Sequence, residues 1–200
     1  MSDILDSLND EQKLAAKHID DALLILAGAG SGKTKTLTTR LAYLIDEVGV
    51  PANSTLTLTF TNKAATEMRQ RALNLISNKN SAPPLLCTFH RFGLLFLKFH
   101  INNINRDSNF VLIDTDDKKK IIKNLNSNLP TSFLASEISR FKNDIVSPND
   151  IKEISKNPSY KEIEKIYAQY NAYLLANNML DFDDLLLVTY EILDSNPALS

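Results

Sequence analysis

Residues Ala22 to Thr34 read ALLILAGAGSGKT and carry the most specific chemistry in the chain. An apolar stretch, a glycine-rich turn, then Lys-Thr opening a helix is the order of a phosphate-binding loop. Gly28, Gly30 and Gly32 open backbone conformations closed to other residues and let N–H groups approach phosphate oxygens. A helix beginning near Gly32 adds unpaired N–H groups and the positive end of its dipole. The Lys33 amine can reach the β- and γ-phosphates, and the Thr34 hydroxyl can ligate Mg2+. The expected nucleotide contacts run through Ala27, Gly28, Ala29, Gly30, Ser31, Gly32, Lys33, Thr34 and Lys35. The strict pattern has glycine where this chain has Ala27, a small residue ending the apolar stretch. A glycine-rich turn with no ligand is the rival reading, and the agreement of strand, loop, GKT and helix opposes it.

Other residues have two readings each. The Gln12 amide can donate to and accept from the N7 and N6 edge of adenine, which would select ATP. It can equally close a capping box with Asn9, and one residue can do both. Phe60 ends the run TLTLTF (55–60) and falls at the carboxyl edge of a parallel sheet, where such folds bind ligands. Exposed there, it stacks a nucleobase for ~1–3 kcal/mol per base; buried, it is core, the commoner fate of phenylalanine. Thr61, Asn62 and the following helix start can bind a neighbouring phosphate. His90, beside Arg91, either donates to a phosphate or satisfies backbone at a strand end. Phe182 lies in LDFDD (180–184), where the residues alone suggest packing at a helix start. Its neighbours Asp181, Asp183 and Asp184 suit capping and a solvated face better than a metal. Asp114, in FVLIDTDD (110–117), follows an apolar run but lacks the adjacent glutamate of a magnesium-positioning carboxylate.

These residues need elements to hold them. Asn9 and Gln12 predict a first helix. Ala22–Ala27 predicts a strand buried on both faces, followed after the loop by a helix to about Glu47. Thr55–Phe60 is a second strand, Asn62 caps a helix through about Ser77, and Leu85–Phe89 is a third strand. Strand-helix alternation implies a parallel sheet covered on both faces. From His90 onward helices dominate, apart from an extended piece near 110–113. Thr115 caps one helix, Ser147-Pro148 opens another, and Ile163, Ile166, Tyr167, Tyr170 and Leu174 keep helical spacing. Asp181 caps the last, with Asp184 three residues on. The division is an α/β part over 1–89 and a helical part over 90–200.

Composition sets limits. Apolar residues are 44% and charged residues 23%, ordinary globular values that exclude disorder and fibrous classes. No run of 18 apolar residues exists, and the polar start MSDILDSLNDEQK lacks a signal peptide's order, so the expectation is a cytoplasmic protein without membrane association. One cysteine, Cys87, allows no internal disulfide, and three scattered histidines make no metal set. Net charge is -2, yet residues 55–105 hold six basic side chains (Lys63, Arg69, Arg71, Lys79, Arg91, Lys98) against Glu67 alone. Such asymmetry marks a basic surface on an acidic protein or a chance cluster on a solvated face.

The segments LNDEQKLAA (8–16), AGAGSGKTKTLTTRLAYLI (27–45), TLTFTNKAATEMRQR (57–71), CTFHRFG (87–93) and LDFDDLLL (180–187) occur in this order. The chain closely resembles the N-terminal part of the UvrD/Rep/PcrA group of superfamily 1 DNA helicases, over essentially its whole length. TFTNKAA and TFH are far more specific than the phosphate loop. The resemblance implies an α/β fold: a RecA-like P-loop parallel sheet, domain 1A, with a mainly helical inserted subdomain, 1B. It implies that Gln12 reads adenine and that Gly30, Ser31, Gly32, Lys33 and Thr34 hold ATP and Mg2+. It implies that Phe60, Thr61, Asn62 and Lys63, then Thr88, Phe89 and His90, and then Phe182 meet single-stranded DNA. Lys35 departs from the family, where arginine is frequent and packs the adenine; lysine cannot stack a planar guanidinium. The family's DEXQ motif follows the LDFDD helix. The expectation is therefore an N-terminal fragment, truncated before the Walker B strand and inactive in hydrolysis. Its parent is expected to be an ATP-driven helicase moving 3′ to 5′ along single-stranded DNA, meeting duplex junctions in repair or replication.

Two rival classes remain. One is a binding module that holds ATP or DNA without turnover. The other is a small-molecule phosphotransferase, which would need an arginine-rich lid that the helical part does not display.

Overall fold

The computed structural model describes residues 4–77, 82–125, 127–154 and 158–199, and the chain divides into two compact units, Met1–Phe89 and His90–Ser200. Lys79 of the basic segment lies outside the described residues. The chain is a mixed α/β protein, mostly helical, with small parallel sheets.

In the first unit, helix α1 spans Asp10–Lys17 and opens on the expected capping box. The Gln12 amide N–H donates to Asn9 Oδ1 at 2.8 Å, and the Asn9 N–H donates to Gln12 Oε1 at 3.1 Å. Helix α2 spans Lys33–Asp46. Strand β1 (Leu56–Thr59), helix α3 (Asn62–Leu75) and strand β2 (Leu85–Thr88) form a β-α-β unit. The two strands run parallel, Leu56 opposite Leu85 and Thr59 opposite Thr88. The cap of α3 is Thr61 rather than Asn62: the Thr61 hydroxyl accepts from the Ala64 N–H at 3.1 Å. Leu41, Met68, Ala72 and Leu86 make one small core, and Leu5, Leu8 and Ala16 another. Arg40 ties α2 to the end of α1 by donating to the Ala15 carbonyl at 2.9 Å and to the His18 carbonyl.

The expected strand at Ala22–Ala27 is absent. That stretch belongs to neither sheet, and Leu24 and Leu26 are 80% and 86% exposed. An isolated extended segment has no ladder to join unless a neighbour offers N–H and C=O groups. Here β1 and β2 pair with each other, so the expected sheet is two-stranded and β1 is only partly covered.

In the second unit, helix α4 continues from Phe89 to His100. Strand β3 (Val111–Leu112) pairs in parallel with β4 (Met179–Leu180). Around them lie α5 (Thr115–Asn124), α6 (Thr131–Asn143), α7 (Ile151–Ile154), α8 (Pro158–Ala176) and α9 (Asp184–Ser195). The cap of α5 is Asp114, not Thr115; its carboxylate accepts from the Asp116 and Asp117 N–H groups, both at 2.9 Å. The α8 stripe Ile163, Ile166, Tyr167, Tyr170 and Leu174 is buried against Ile122, Leu134, Ile138 and Phe141. A second cluster joins Leu97 and Ile101 to Leu180, Leu185, Val188 and Ile192. Helices α4 and α9 approach backbone to backbone at Gly93, where an added Cβ would lie 2.3 Å from the Leu185 carbonyl oxygen. Among the described residues no helix is long and apolar enough to cross a membrane.

Candidate functional site

The glycine-rich loop over 28–32 is built by two left-handed glycines. Gly30 has φ 75° and Gly32 φ 86°, values that cost other residues ~1–2 kcal/mol. Gly28 does not need that freedom; its φ is ordinary and an added Cβ would meet open space. Gly32 is also the N-cap of α2, so no side chain caps this helix, and its first turn holds no acidic residue. In contrast, α1 and α5 each combine a side-chain cap with carboxylates in the first turn. The N-terminus of α2 therefore presents unpaired N–H groups and an uncompensated positive dipole end.

Side chains converge on this loop. The Lys33 ammonium folds back over it, donating to the Ala27 carbonyl at 2.7 Å and the Gly28 carbonyl at 2.5 Å. Gly28 O also accepts from the Ser31 hydroxyl at 2.7 Å. Lys33 can leave these carbonyls for an anion without stranding Gly28. The Gln12 side chain, whose oxygen serves the α1 cap, donates through Nε2 to the Ser31 carbonyl at 3.0 Å. It lies so close that a Cβ on Gly32 would approach Nε2 to 2.9 Å. Gln12, Ala27, Ser31 and Lys33 border a cavity of about 410 Å3. Lys35 points elsewhere, to the Ser7 carbonyl. Thr34 is half-buried on the first turn of α2. Among the described residues no cluster of three or more His, Cys, Asp or Glu side chains is arranged to hold a metal ion.

The aromatic residue after β1 is on the surface: Phe60 is 86% exposed. The parallel register explains its partner. Thr59 lies opposite Thr88, so the next residue of each strand, Phe60 and Phe89, leave the same sheet edge together. Their ring centroids are 5.2 Å apart at 36°. Asn62 and Lys63 are exposed on the first turn of α3, and the Thr61 hydroxyl is engaged in the cap. Thr88 differs from the other expected surface residues, for its side chain is buried within the unit.

In the second unit, the His90 and Phe182 rings stack with centroids 4.1 Å apart at 16°, and Phe182 is 55% exposed. Burial lowers the His90 pKa, opposed in part by the Asp183 carboxylate. The carboxylates around Phe182 are not a solvated face, as expected from sequence, but part of a buried ion network. Asp181 and Lys142 are each 2% exposed. Lys142 donates to Asp181 at 3.0 Å and to Asp184 at 2.7 Å. Lys118 forms an ion pair with Asp181 at 3.1 Å and donates to Asp183 at 2.9 Å. Burial alone would push Asp181 up, but Lys142 and Lys118 outweigh it and hold this carboxyl well below the usual range. Asp184 goes the other way, raised by burial that Lys142 offsets only in part. The N-cap of α9 is Asp183, without a side-chain cap bond, rather than the expected Asp181, whose Oδ1 accepts from the Asp184 N–H at 3.0 Å within this network.

Sequence reasoning missed Lys118, Lys142 and Arg40. A signal existed for the lysines, because helical spacing places Lys118 with Ile122 and Lys142 with Ile138 on buried faces.

Comparison with known proteins adds the family. The model of the UvrD/REP helicase N-terminal domain matches residues 8–200. A probable DNA helicase II homolog of Mycoplasma capricolum is 37% identical over 98% of this chain. The ATP-dependent DNA helicase Rep of Buchnera aphidicola is 38% identical over 94%, and the ATP-dependent DNA helicase PcrA of Staphylococcus aureus is 36% identical over 98%. In each case the chain spans 28% of the relative's length. With a family match that spans the glycine-rich loop and the exposed Phe60, the chain belongs to the UvrD/REP helicase N-terminal domain family.

Proposed function

We propose that this chain is the ATP- and single-stranded-DNA-binding N-terminal portion of an ATP-dependent DNA helicase. On this reading the first unit is the RecA-like part, domain 1A, and the second is the helical insertion, 1B. The observation that carries the nucleotide half is the uncapped, acid-free N-terminus of α2 with the Lys33 ammonium folded over its loop. Backbone N–H groups from Gly30 to Thr34 with Lys33 would hold the phosphates, and Gln12, which donates to the Ser31 carbonyl, would read the base. Thr34 would supply a hydroxyl ligand to Mg2+. Bound magnesium ATP would supply the free energy of a cleavable phosphoanhydride; the residues here bind and orient it.

For DNA, Phe60 with Phe89 offers an aromatic ledge, and Asn62 and Lys63 at the head of α3 offer donors to phosphate. Phe182 on His90 is a separate stacking surface in the second unit. Stacking without base-edge contacts gives sequence-tolerant binding, which suits a protein that moves along a strand. Hydrolysis, 3′ to 5′ movement, duplex-junction unwinding and service in DNA repair or replication belong to the longer protein on this reading. The 200-residue chain by itself binds ATP without turning it over. The carboxylate in best position by sequence, Asp114, is spent on capping α5.

Titration calorimetry with ATP and Mg2+ on Lys33→Ala tests the loop. Nucleotide binding is lost while affinity for oligo-dT stays within about twofold of wild type. Equal ATP affinity in the variant refutes the assignment. For the full-length product, ATPase activity that single-stranded DNA does not stimulate refutes the motor reading.

A further inference from the structure

We infer that Lys118 and Lys142, together with Ser139, are positioning residues that hold Phe182 in its stacking pose. The inference rests on the reading of Phe182 as a base-stacking surface. Phe182 sits between two pinned carboxylates. On one side, Asp181 Oδ2 accepts from Lys142 at 3.0 Å and from the Tyr170 hydroxyl at 2.9 Å, and it forms an ion pair with Lys118 at 3.1 Å. On the other, Asp183 Oδ2 accepts from Lys118 at 2.9 Å and from the Ser139 hydroxyl at 2.6 Å. Lys118 therefore bridges both flanks of one aromatic residue, and three elements (α5, α6 and α8) close on the turn.

The ring needs such a hold. Among the described residues only His90 is stacked on it, and it borders a cavity of about 370 Å3 that Lys118, Ser139, Asp181 and Asp183 also line. A half-exposed ring beside open space has little packing to fix its direction. Its backbone anchor must do so. Burying two ammonium groups is an expensive way to gain stability, since well-packed apolar residues of similar volume often serve as well or better. What the pair gives that apolar residues cannot is a directional grip on residues 181 and 183.

Proton NMR of the full chain at pH 8.5, where the lowered pKa keeps His90 neutral, reads the pose without DNA. The ring protons of His90 carry an upfield shift from the Phe182 face, identified by its loss in Phe182→Ala. His100, whose ring lies 4.5 Å from Phe96, is the internal control. In Lys118→Met the His90 shift collapses and the His100 shift stays. Ser139→Ala, a milder variant that decides the matter should Lys118→Met not fold, moves His90 in the same direction. Affinity for oligo-dT falls by about fivefold or more, the lower end of one lost stack. Lys118→Met/Phe182→Ala binds no more weakly than Phe182→Ala. An unmoved His90 resonance in a folded variant, or losses that multiply in the double variant, overturns the inference. A moved resonance with full oligo-dT affinity in Phe182→Ala supports the positioning and sinks the DNA reading alone.

Discussion

Replacing Phe60 with alanine separates a DNA-binding ring from a core ring, because the two roles predict opposite balances of stability and affinity. Phe60 is 86% exposed. Of the roughly 200 Å2 of such a side chain, folding hides about 30 Å2, worth about 0.7 kcal/mol at ~25 cal/mol per Å2. The tilted pair with Phe89 at 5.2 Å adds ~0.5–1.5 kcal/mol. The loss of stability is then about 1–2 kcal/mol, a fall in Tm of no more than roughly 8 °C for a chain of this size. If the ring stacks one base, its removal costs ~1–3 kcal/mol of binding, or about 5- to 150-fold in Kd. Fluorescence anisotropy of labelled oligo-dT across a salt series measures both the affinity and its electrostatic part. Phe60 is uncharged, so the slope of log K against log salt stays at the wild-type value. Lys63→Ala lowers that slope by ~0.7 if its ammonium meets one phosphate. A Tm loss well beyond 8 °C with unchanged oligo-dT affinity would falsify the ledge and return Phe60 to the core.

Two further outcomes test the packing that holds the second unit together. Gly93→Ala places a Cβ 2.3 Å from the Leu185 carbonyl oxygen, a backbone atom that cannot swing aside. The forced separation of α4 and α9 lowers stability by ~1–3 kcal/mol, seen as a lower Tm in a thermal scan, and an unchanged Tm contradicts the close approach. Lys142→Met leaves Asp181 and Asp184 sharing no ammonium and costs ~3–5 kcal/mol in urea unfolding at pH 7. The same pair has a pH signature. Asp181 is held below its ordinary 3.8, so its contribution is complete above 3.8 and drains as pH falls through its lower folded value. Asp184 is raised above 3.8, so the native state binds its proton first and stability rises as pH falls toward 3.8. In Lys142→Met the drop below 3.8 shrinks, since Asp181 loses one of two cations that hold it down.

What the sequence made legible was local. The Asn9–Gln12 box, the helix from Lys33, the strands at 56–59 and 85–88 and the buried stripe of α8 all follow from short-range rules: caps, β-branched runs and helical spacing. Caps slipped by one residue, to Thr61 and Asp114, because adjacent Ser, Thr, Asn and Asp are chemically equivalent candidates and backbone geometry chooses among them. The larger misses were non-local. An apolar run such as Ala22–Ala27 specifies a strand only when another strand lies beside it. The carboxylates of LDFDD looked solvated because their lysines stand some 40 and 65 residues away in sequence, on α6 and α5. The pairing of Phe60 with Phe89 needed the parallel register, which no local pattern states.

The glycine-rich loop before α2 shows how little of its shape depends on the sheet expected beneath it. Its amino-terminal lead, Leu23 to Leu26, has no strand partner among the described residues, yet the loop turns and enters α2 in order. The hold comes from the helix side. Gln12 fastens Ser31 to the start of α1, Arg40 fastens α2 to the end of α1, and Lys35 reaches the Ser7 carbonyl. Two left-handed glycines then set the turn without help from a strand. These tethers span 19 to 28 residues of chain, and the entropic cost of closing such loops grows only slowly with their length. It follows that Gln12→Ala acts first on the loop and only then on base recognition. It removes the hydrogen bond that ties Ser31 to α1, so phosphate affinity falls for ATP and GTP alike, and a loss confined to ATP would show instead that Gln12 serves the base alone.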